Sequence, residues 1–175
     1  MDDGGRGGGG AGRADSVLVV VRGPSGAGKS SVAARLRAAH GRGIAVVGQD
    51  VLRRTVLRER DSAGAANIGL IGLVARHALD HGFHVVVEGI LAADHRGRTF
   101  LYYLDVGFEE SVRRHAGRPQ AAEFSAADMA AWYRPRDLLP GRLEHVVPQD
   151  STLEETVERI LADTGLAPPG HTPRP

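Results

Sequence analysis

The chain has 175 residues, 42% hydrophobic and 25% charged, with a net charge of +1 and no cysteine. That length suits one domain with its own core, and near-neutral charge excludes a whole-molecule field that would draw the protein onto nucleic acid or an anionic membrane. The missing cysteines exclude disulfides and thiolate metal sites, and no apolar run approaches a membrane span or a secretory leader, so a cytoplasmic location is expected.

Residues 1–15, MDDGGRGGGGAGRAD, hold seven glycines and almost no apolar surface, too little to offset the entropy of ordering them. They are expected to be a disordered tail. The first strand is SVLVVVRG, whose near-continuous apolarity indicates burial on both faces, as in a parallel sheet. GPSGAGKSS follows, and then a helix over Ser30 to His40, closed by Gly41. GIAVVGQD is the second strand, and helices are expected over Val51 to Glu59 and Asn67 to His81. In the latter, Ile68, Ile71, Val74, Ala75, Ala78 and Leu79 recur at helical spacing.

GFHVVVEGI and RTFLYYLDV are the third and fourth strands. Between Glu88 and Thr99 lie ten residues, GILAADHRGR, fewer than a helical crossover between parallel strands takes. Extended, they reach about 33 Å, enough to return along a short strand, but the sheet face there is expected to be thinly covered. FEESVRRHAGR reads as a helix, and Ser125 with Asp128 and Thr152 with Glu155 read as capping boxes that start two more, with the fifth strand, LEHVVPQD, between them. The Pro-rich end, residues 167–175, is expected to be a second disordered tail. Strands alternating with helices predict an α/β domain over residues 16–166.

Lys29 is the only lysine in a chain that otherwise uses arginine as its base. It stands in the pattern G-x-x-x-x-G-K-[ST], formed by Gly23, Gly28, Lys29 and Ser30, directly after a buried strand and at the start of a helix. Glycines let the loop Gly23, Pro24, Ser25, Gly26, Ala27, Gly28 turn its N–H groups inward on a phosphate at the positive end of the helix dipole, with Ser30 and Ser31 opening the helix. Ser30 offers a hydroxyl to Mg2+. Lys29 reaches the terminal phosphates, where a compact ammonium fits and a planar guanidinium does not. The loop therefore predicts ATP with Mg2+. An Asn-Lys-x-Asp guanine motif is impossible with a single lysine, and no apolar strand ends in Asp or Asp-Glu as in motor and transport ATPases, the nearest being VVVEGI with Glu88.

The motifs GPSGAGKSS, GQDVLRR, VVVEGI and RRHAGRP resemble those of the P-loop kinase group that includes zeta-toxin-like kinases, polynucleotide 5'-kinases and chloramphenicol phosphotransferases, over most of Val17 to Asp163. The resemblance implies a P-loop NTPase fold with a five-stranded parallel sheet in the order 2-3-1-4-5, flanked by helices, and a helical lid near residues 112–136. It implies that Asp50 is general base on the acceptor hydroxyl, that Arg53 helps hold phosphates, that Glu88 contacts the acceptor, and that Arg114 and Arg118 are the lid arginines. Apart from the resemblance, Asp50 stands at the end of a strand, where open sheets bind ligands, and equally suits the N-cap of the helix that follows. Arg114 and Arg118 also suit a solvated helix end, and Asp105, a weaker candidate for a metal-water contact, more readily suits a strand-end turn. Arg53, Arg54, Arg58 and Arg60 suit ion pairing with Glu59 and Asp61, His77 and His81 an exposed helix face, and Trp132 with Tyr133 packing of the lid against the body.

The expected function is transfer of the ATP γ-phosphate to a hydroxyl of a small-molecule or nucleotide-like acceptor. An ATP-binding protein without transfer activity and a nucleic-acid 5'-hydroxyl kinase are the alternatives, the latter opposed by the near-neutral charge.

Overall fold

The computed structural model describes residues 12–60, 64–89, 95, 97–117, 124–141 and 143–166. Strand β1, Val17–Arg22, leads to helix α1, Lys29–His40, and to β2, Ile44–Gly48. Helix α2, Ala66–Asp80, leads to β3, His84–Glu88, and β4, Arg98–Asp105, to helices α3, Phe108–Ala116, and α4, Ala126–Trp132. Strand β5, His145–Pro148, and helix α5, Leu153–Thr164, complete the domain. The strands form one parallel sheet in the order β2-β3-β1-β4-β5. No helix among the described residues is long and apolar enough to cross a membrane.

The central strand explains the layering. Val17, Val19 and Val21 pack with Val32 and Leu36 of α1 and Ile160 and Leu161 of α5, while Leu18 and Val20 face Ile71, Ala75 and Leu79 of α2. Each such side chain contributes about 1.5–3 kcal/mol by leaving water. Both predicted capping boxes are present, Ser125 with Asp128 and Thr152 with Glu155. On α2 the buried positions are Asn67, Ile71, Ala75 and Leu79, and Ile68 and Val74 of the predicted stripe stand outside it.

Two elements differ from expectation. The segment after β2 is a π-helix, Val51–Val56, rather than an ordinary helix to Glu59, with the Leu57 N–H donating to the Leu52 carbonyl five residues back. Strand β4 starts at Arg98, one residue before Thr99, so its connection from β3 is shorter still. On the α2 side of the sheet Leu18, Val20 and Val87 are buried, whereas Leu101 is half-buried and Thr99 exposed. His95, in the connection, lies 2.9 Å from Ser16 Oγ and 3.1 Å from Thr99 Oγ1, which fixes its end beside the start of β1.

Residues 1–11 and 167–175 of the expected tails lie outside the described residues. Residues 12–15 form a turn against α2, with the Gly12 N–H donating to Asp80 at 2.6 Å and Ser16 to the Arg13 carbonyl at the same distance.

Candidate active site

Strand β1 delivers the chain to the carboxyl edge at the middle of the sheet, and the loop from Gly23 to Gly28 turns back there into α1. Gly23, Gly26 and Gly28 all have positive φ, 142°, 82° and 100°. At Gly26 space is as restrictive as conformation, because a Cβ would stand 2.5 Å from the Ser111 carbonyl of α3. Lys29 Nζ donates to the carbonyls of Gly23 at 2.8 Å and Pro24 at 2.9 Å, which keeps the ammonium at the mouth of the loop. The first turn of α1 carries no acidic residue to oppose an anion.

Gly23, Pro24, Ser25, Gly26, Gly28, Lys29 and Ser30 line a cavity of about 770 Å³. Ala27 and Ser31 line a second one, of about 430 Å³, on the other side of the loop, which Gly26 and Gly28 share. Curled glycine backbone with an ammonium at its mouth fits a polyphosphate. For Mg2+ the described residues offer no cluster of three His, Cys, Asp or Glu side chains. Ser30, on the cavity wall, fits the usual arrangement in which phosphate oxygens and waters supply most of the ligands.

The far wall of the larger cavity holds Asp50, Arg53 and Glu88. Asp50 makes no helix-capping hydrogen bond; its Oδ1 accepts from Arg53 at 3.1 Å and from Arg54 at 3.2 Å. Burial alone would raise its pKa, but the hydrogen bonds and charges of the two arginines more than offset that, and the carboxyl lies below its ordinary value. Glu88 ends β3, and its carboxylate lies against Gly48 on β2.

Sequence reasoning missed several residues of this wall. Glu59 does not pair within the arginine cluster in the way its spacing suggested; it accepts from the N–H groups of Ala66 and Asn67 and from the Asn67 side chain, at 2.7, 3.0 and 3.0 Å. These bonds, the Asn67 amide first, hold its pKa below the ordinary value. Gln49 Nε2 reaches Asn67 Oδ1 at 3.5 Å, so a polar chain joins the end of β2 to the start of α2. The available signal was Asn67 itself, a polar side chain in register with Ile71, Ala75 and Leu79 on the buried stripe.

The segment after α4 forms another side of the cavity. Arg22 pairs with Glu144 at 2.7 Å and Asp137 at 3.3 Å, and its guanidinium lies 5.9 Å over the Tyr103 ring. Glu144 is 1% exposed, and removing one partner of so buried a pair costs about 3–5 kcal/mol. The Tyr133 hydroxyl donates to the Val106 carbonyl at 3.1 Å, which packs it on the body as expected. Trp132 does not follow it: the ring is 51% exposed and lines the cavity, edge-on to Phe124. Asp105 pairs with Arg136 at 3.4 Å and does not line either cavity.

Arg114 lies on the second cavity rather than the first. Its guanidinium donates to the carbonyls of Ala27 at 3.4 Å and Gln149 at 3.2 Å, bridging the P-loop and the turn after β5. Glu110 holds Arg114 and Arg113 and is itself lowered to about 2 by their hydrogen bonds. Arg118 lies outside the described residues, as does most of the segment joining α3 to α4. The His77 and His81 rings lie 4.1 Å apart, tilted by 37°, on an exposed face, with no third ligand among the described residues.

Residues 18–139 match the AAA_33 family, an AAA domain. The chain belongs to this family of P-loop kinases. The matched span carries the P-loop, Asp50, Arg53, Glu88, Arg114 and Arg118. Among solved structures, the AAA_33 chain is similar to the APS kinase CysC of Mycobacterium tuberculosis in complex with AMPPNP and APS, at 21% identity and a TM-score of 0.63, over 84% of this chain and 96% of that one. It is also similar to a gluconokinase from Sinorhizobium meliloti, at 18% identity and 0.57, over 87% and 94% of the two chains. A sugar kinase from Janibacter shows 17% identity and 0.59, over 87% and 98%. At these identities the likeness is one of fold. No curated protein sequence matches the AAA_33 chain significantly.

Proposed function

We propose that this protein is an ATP-dependent phosphotransferase acting on a hydroxyl of a small-molecule or nucleotide-like acceptor. The observation that carries the reading is that one cavity is lined both by the phosphate loop, with Lys29 and Ser30, and by Asp50, Arg53 and Glu88. Phosphoryl transfer asks little covalent chemistry of a protein; it asks for charge on the moving group and a base at the attacking hydroxyl. Lys29 and the loop N–H groups hold the phosphates, and Ser30 offers its hydroxyl to Mg2+, which would neutralise charge on the phosphate oxygens. Asp50 takes the hydroxyl proton as the acceptor oxygen bonds to the γ-phosphorus and the bond from that phosphorus to the bridging oxygen breaks, with ADP leaving. Glu88 orients the acceptor.

The second cavity suits the nucleobase. It adjoins the loop through Gly26 and Gly28, is walled by Val106, Val147 and Leu153, and has the Arg114 guanidinium at its rim. Arg118, carried over from the resemblance, is assigned to the transferring phosphate.

Calorimetric titration with AMPPNP and Mg2+ tests the nucleotide half of the proposal. Measuring ADP release against nucleosides, sugars, sugar acids, antibiotics and 5'-hydroxyl oligonucleotides tests the transfer half. The exposed Thr99 and half-buried Leu101 beside the short β3–β4 connection favour a second reading, nucleotide binding without transfer. That reading predicts AMPPNP binding and no acceptor-dependent ADP release.

A further inference from the structure

We propose that the acceptor carries a flat aromatic ring beside its reacting hydroxyl, and that Trp132 is the surface on which this ring stacks. This rests on the phosphotransferase reading above and specifies the chemical class of its substrate. Trp132 is the only tryptophan of the chain, and it is 51% exposed on the wall of the cavity that also holds Lys29 and Asp50. So large an apolar side chain left in water gains most from a ligand that covers it.

The packing of α4 does not account for its position. Met129, one turn earlier, is 2% exposed and supplies the buried anchor, and the capping box of Ser125 with Asp128 fixes the start of the helix. Tyr133 holds the other end, through its hydrogen bond to the Val106 carbonyl and its ring contact with Phe108 at 5.3 Å. Trp132 is thereby turned to the cavity. Phe124 meets it at 5.3 Å with the ring planes 67° apart, an edge contact that leaves breadth of the indole for a ligand. Phe124 is itself fixed, stacked on His115 at 4.2 Å and with the Arg54 guanidinium 5.6 Å over its ring. Arg54 in turn donates to Asp50 Oδ1, so a short run of contacts joins the indole to that carboxylate.

The surroundings of the indole favour an aromatic ring over a sugar. A sugar laid on tryptophan exchanges its hydroxyl hydrogen bonds with water for bonds to nearby side chains. Here those side chains are engaged in the fold: Asp128 caps α4, Asp137 pairs with Arg22, and Arg134 donates to the carbonyls of Ala131 and Tyr133. Phe124, Met129 and Trp132 give that side of the cavity an apolar wall. The nucleotide's own base is assigned to the second cavity, so the two rings do not compete.

Because Trp132 is unique, tryptophan fluorescence reports on this wall alone. The test uses the full chain with saturating AMPPNP and Mg2+, and titrates adenosine, guanosine, cytidine, uridine and 2-phenylethanol, with ribose and gluconate as non-aromatic probes. At least one aromatic alcohol is expected to quench the emission saturably, after correction for its absorbance, and ribose and gluconate are not. By calorimetry Trp132→Ala should bind that alcohol about tenfold or more weakly, whereas Trp132→Phe, which keeps a stacking face, should retain most of the affinity. Calorimetry with AMPPNP shows that the variants fold, and the fluorescence titration, made on the native chain, stands apart from them. No quenching by any aromatic alcohol, an equal response to ribose, or unchanged affinity in Trp132→Ala overturns the proposal. So does quenching by AMPPNP that leaves no further response to the alcohols, because the nucleotide's base would then occupy the indole. Failure of AMPPNP to bind defeats the nucleotide reading instead, and the alcohols are then scored without it. In turnover with the bound alcohol, Trp132→Ala should raise KM far more than it lowers kcat; stacking without ADP release would defeat the phosphotransferase reading and leave the stacking surface standing.

Discussion

The Glu88 carboxylate lies against Gly48 on the neighbouring strand, its Oε1 2.6 Å from where a Cβ on that glycine would stand. A methyl group there has to push the carboxylate out of the cavity wall. Gly48→Ala is therefore expected to fold, since Gly48 has ordinary strand conformation, and to bind AMPPNP as the native chain does. Acceptor turnover should fall by up to about 10²-fold, the usual consequence of displacing a positioning group by an ångström. Stopped-time ADP assays beside calorimetry would show whether binding and rate separate in this way.

Lys29→Ala should remove most phosphoryl transfer, by about 10²- to 10³-fold. Lys29→Arg should not restore it. The ammonium sits between two carbonyls at 2.8 and 2.9 Å, and a planar guanidinium is too wide to take both and then turn to the phosphates. Near-native turnover in the arginine variant would show that the loop is not sized for an ammonium.

Asp50→Asn should bind AMPPNP normally and lose about 10²- to 10⁴-fold in turnover, since a base acts on the acceptor and not on the nucleotide. Equal losses of nucleotide affinity and rate would assign Asp50 to the metal ion or to folding of the π-helix.

Arg114→Ala should weaken nucleotide binding more than it slows turnover. Its guanidinium ties Ala27 to Gln149 on the cavity assigned to the base, away from Asp50. Arg118→Ala should do the reverse, lowering turnover by at least ~10²-fold with little change in affinity, as expected of a charge needed in the transition state. Binding and rate measured on both variants would expose a swapped assignment.

Acid should loosen the end of the sheet opposite the site. The Val17 N–H donates to His84 Nδ1 at 3.1 Å, so this ring nitrogen has to be unprotonated. Burial, then the charge of His40, lowers the His84 pKa; Asp15 opposes and Arg98 adds to the fall. A His lowered on folding contributes stability that is complete above its ordinary value of about 6.5 and is lost as pH falls through that value toward the folded one. His95, also lowered by burial, acts in the same direction. Thermal unfolding at about pH 7.5 and about pH 5.5 should show a drop in Tm that is smaller in His84→Gln, which keeps an acceptor for Val17 but cannot titrate. The same drop in both proteins would rule His84 out.

What the sequence made legible was local. The P-loop is contiguous, and β1 and α1 around it follow from a valine run and a helix that ends at Gly41. The capping boxes span four residues and could be read directly. Asp50, Arg53 and Glu88 were carried over one by one from a family resemblance, and they line one cavity with Lys29. The contacts that shape the cavity were not legible, because they join residues far apart in the chain. Arg54 with Phe124 and Arg22 with Glu144 are of this kind. Nor could helical spacing show that Arg114 lies on the far side of the loop from Asp50, since that depends on where α3 docks. The π-helix was missed for a different reason: VLRRTV reads as an ordinary amphipathic turn.

Because Lys29 is the single lysine, its Nζ is the one side-chain primary amine of the whole chain, and it is lodged against the loop carbonyls of Gly23 and Pro24. Acylating reagents therefore have two targets, this nitrogen and the α-amine. The mass of the intact protein after brief acylation then reports how often the phosphate site is shielded, with no chromophore or acceptor substrate needed to read it.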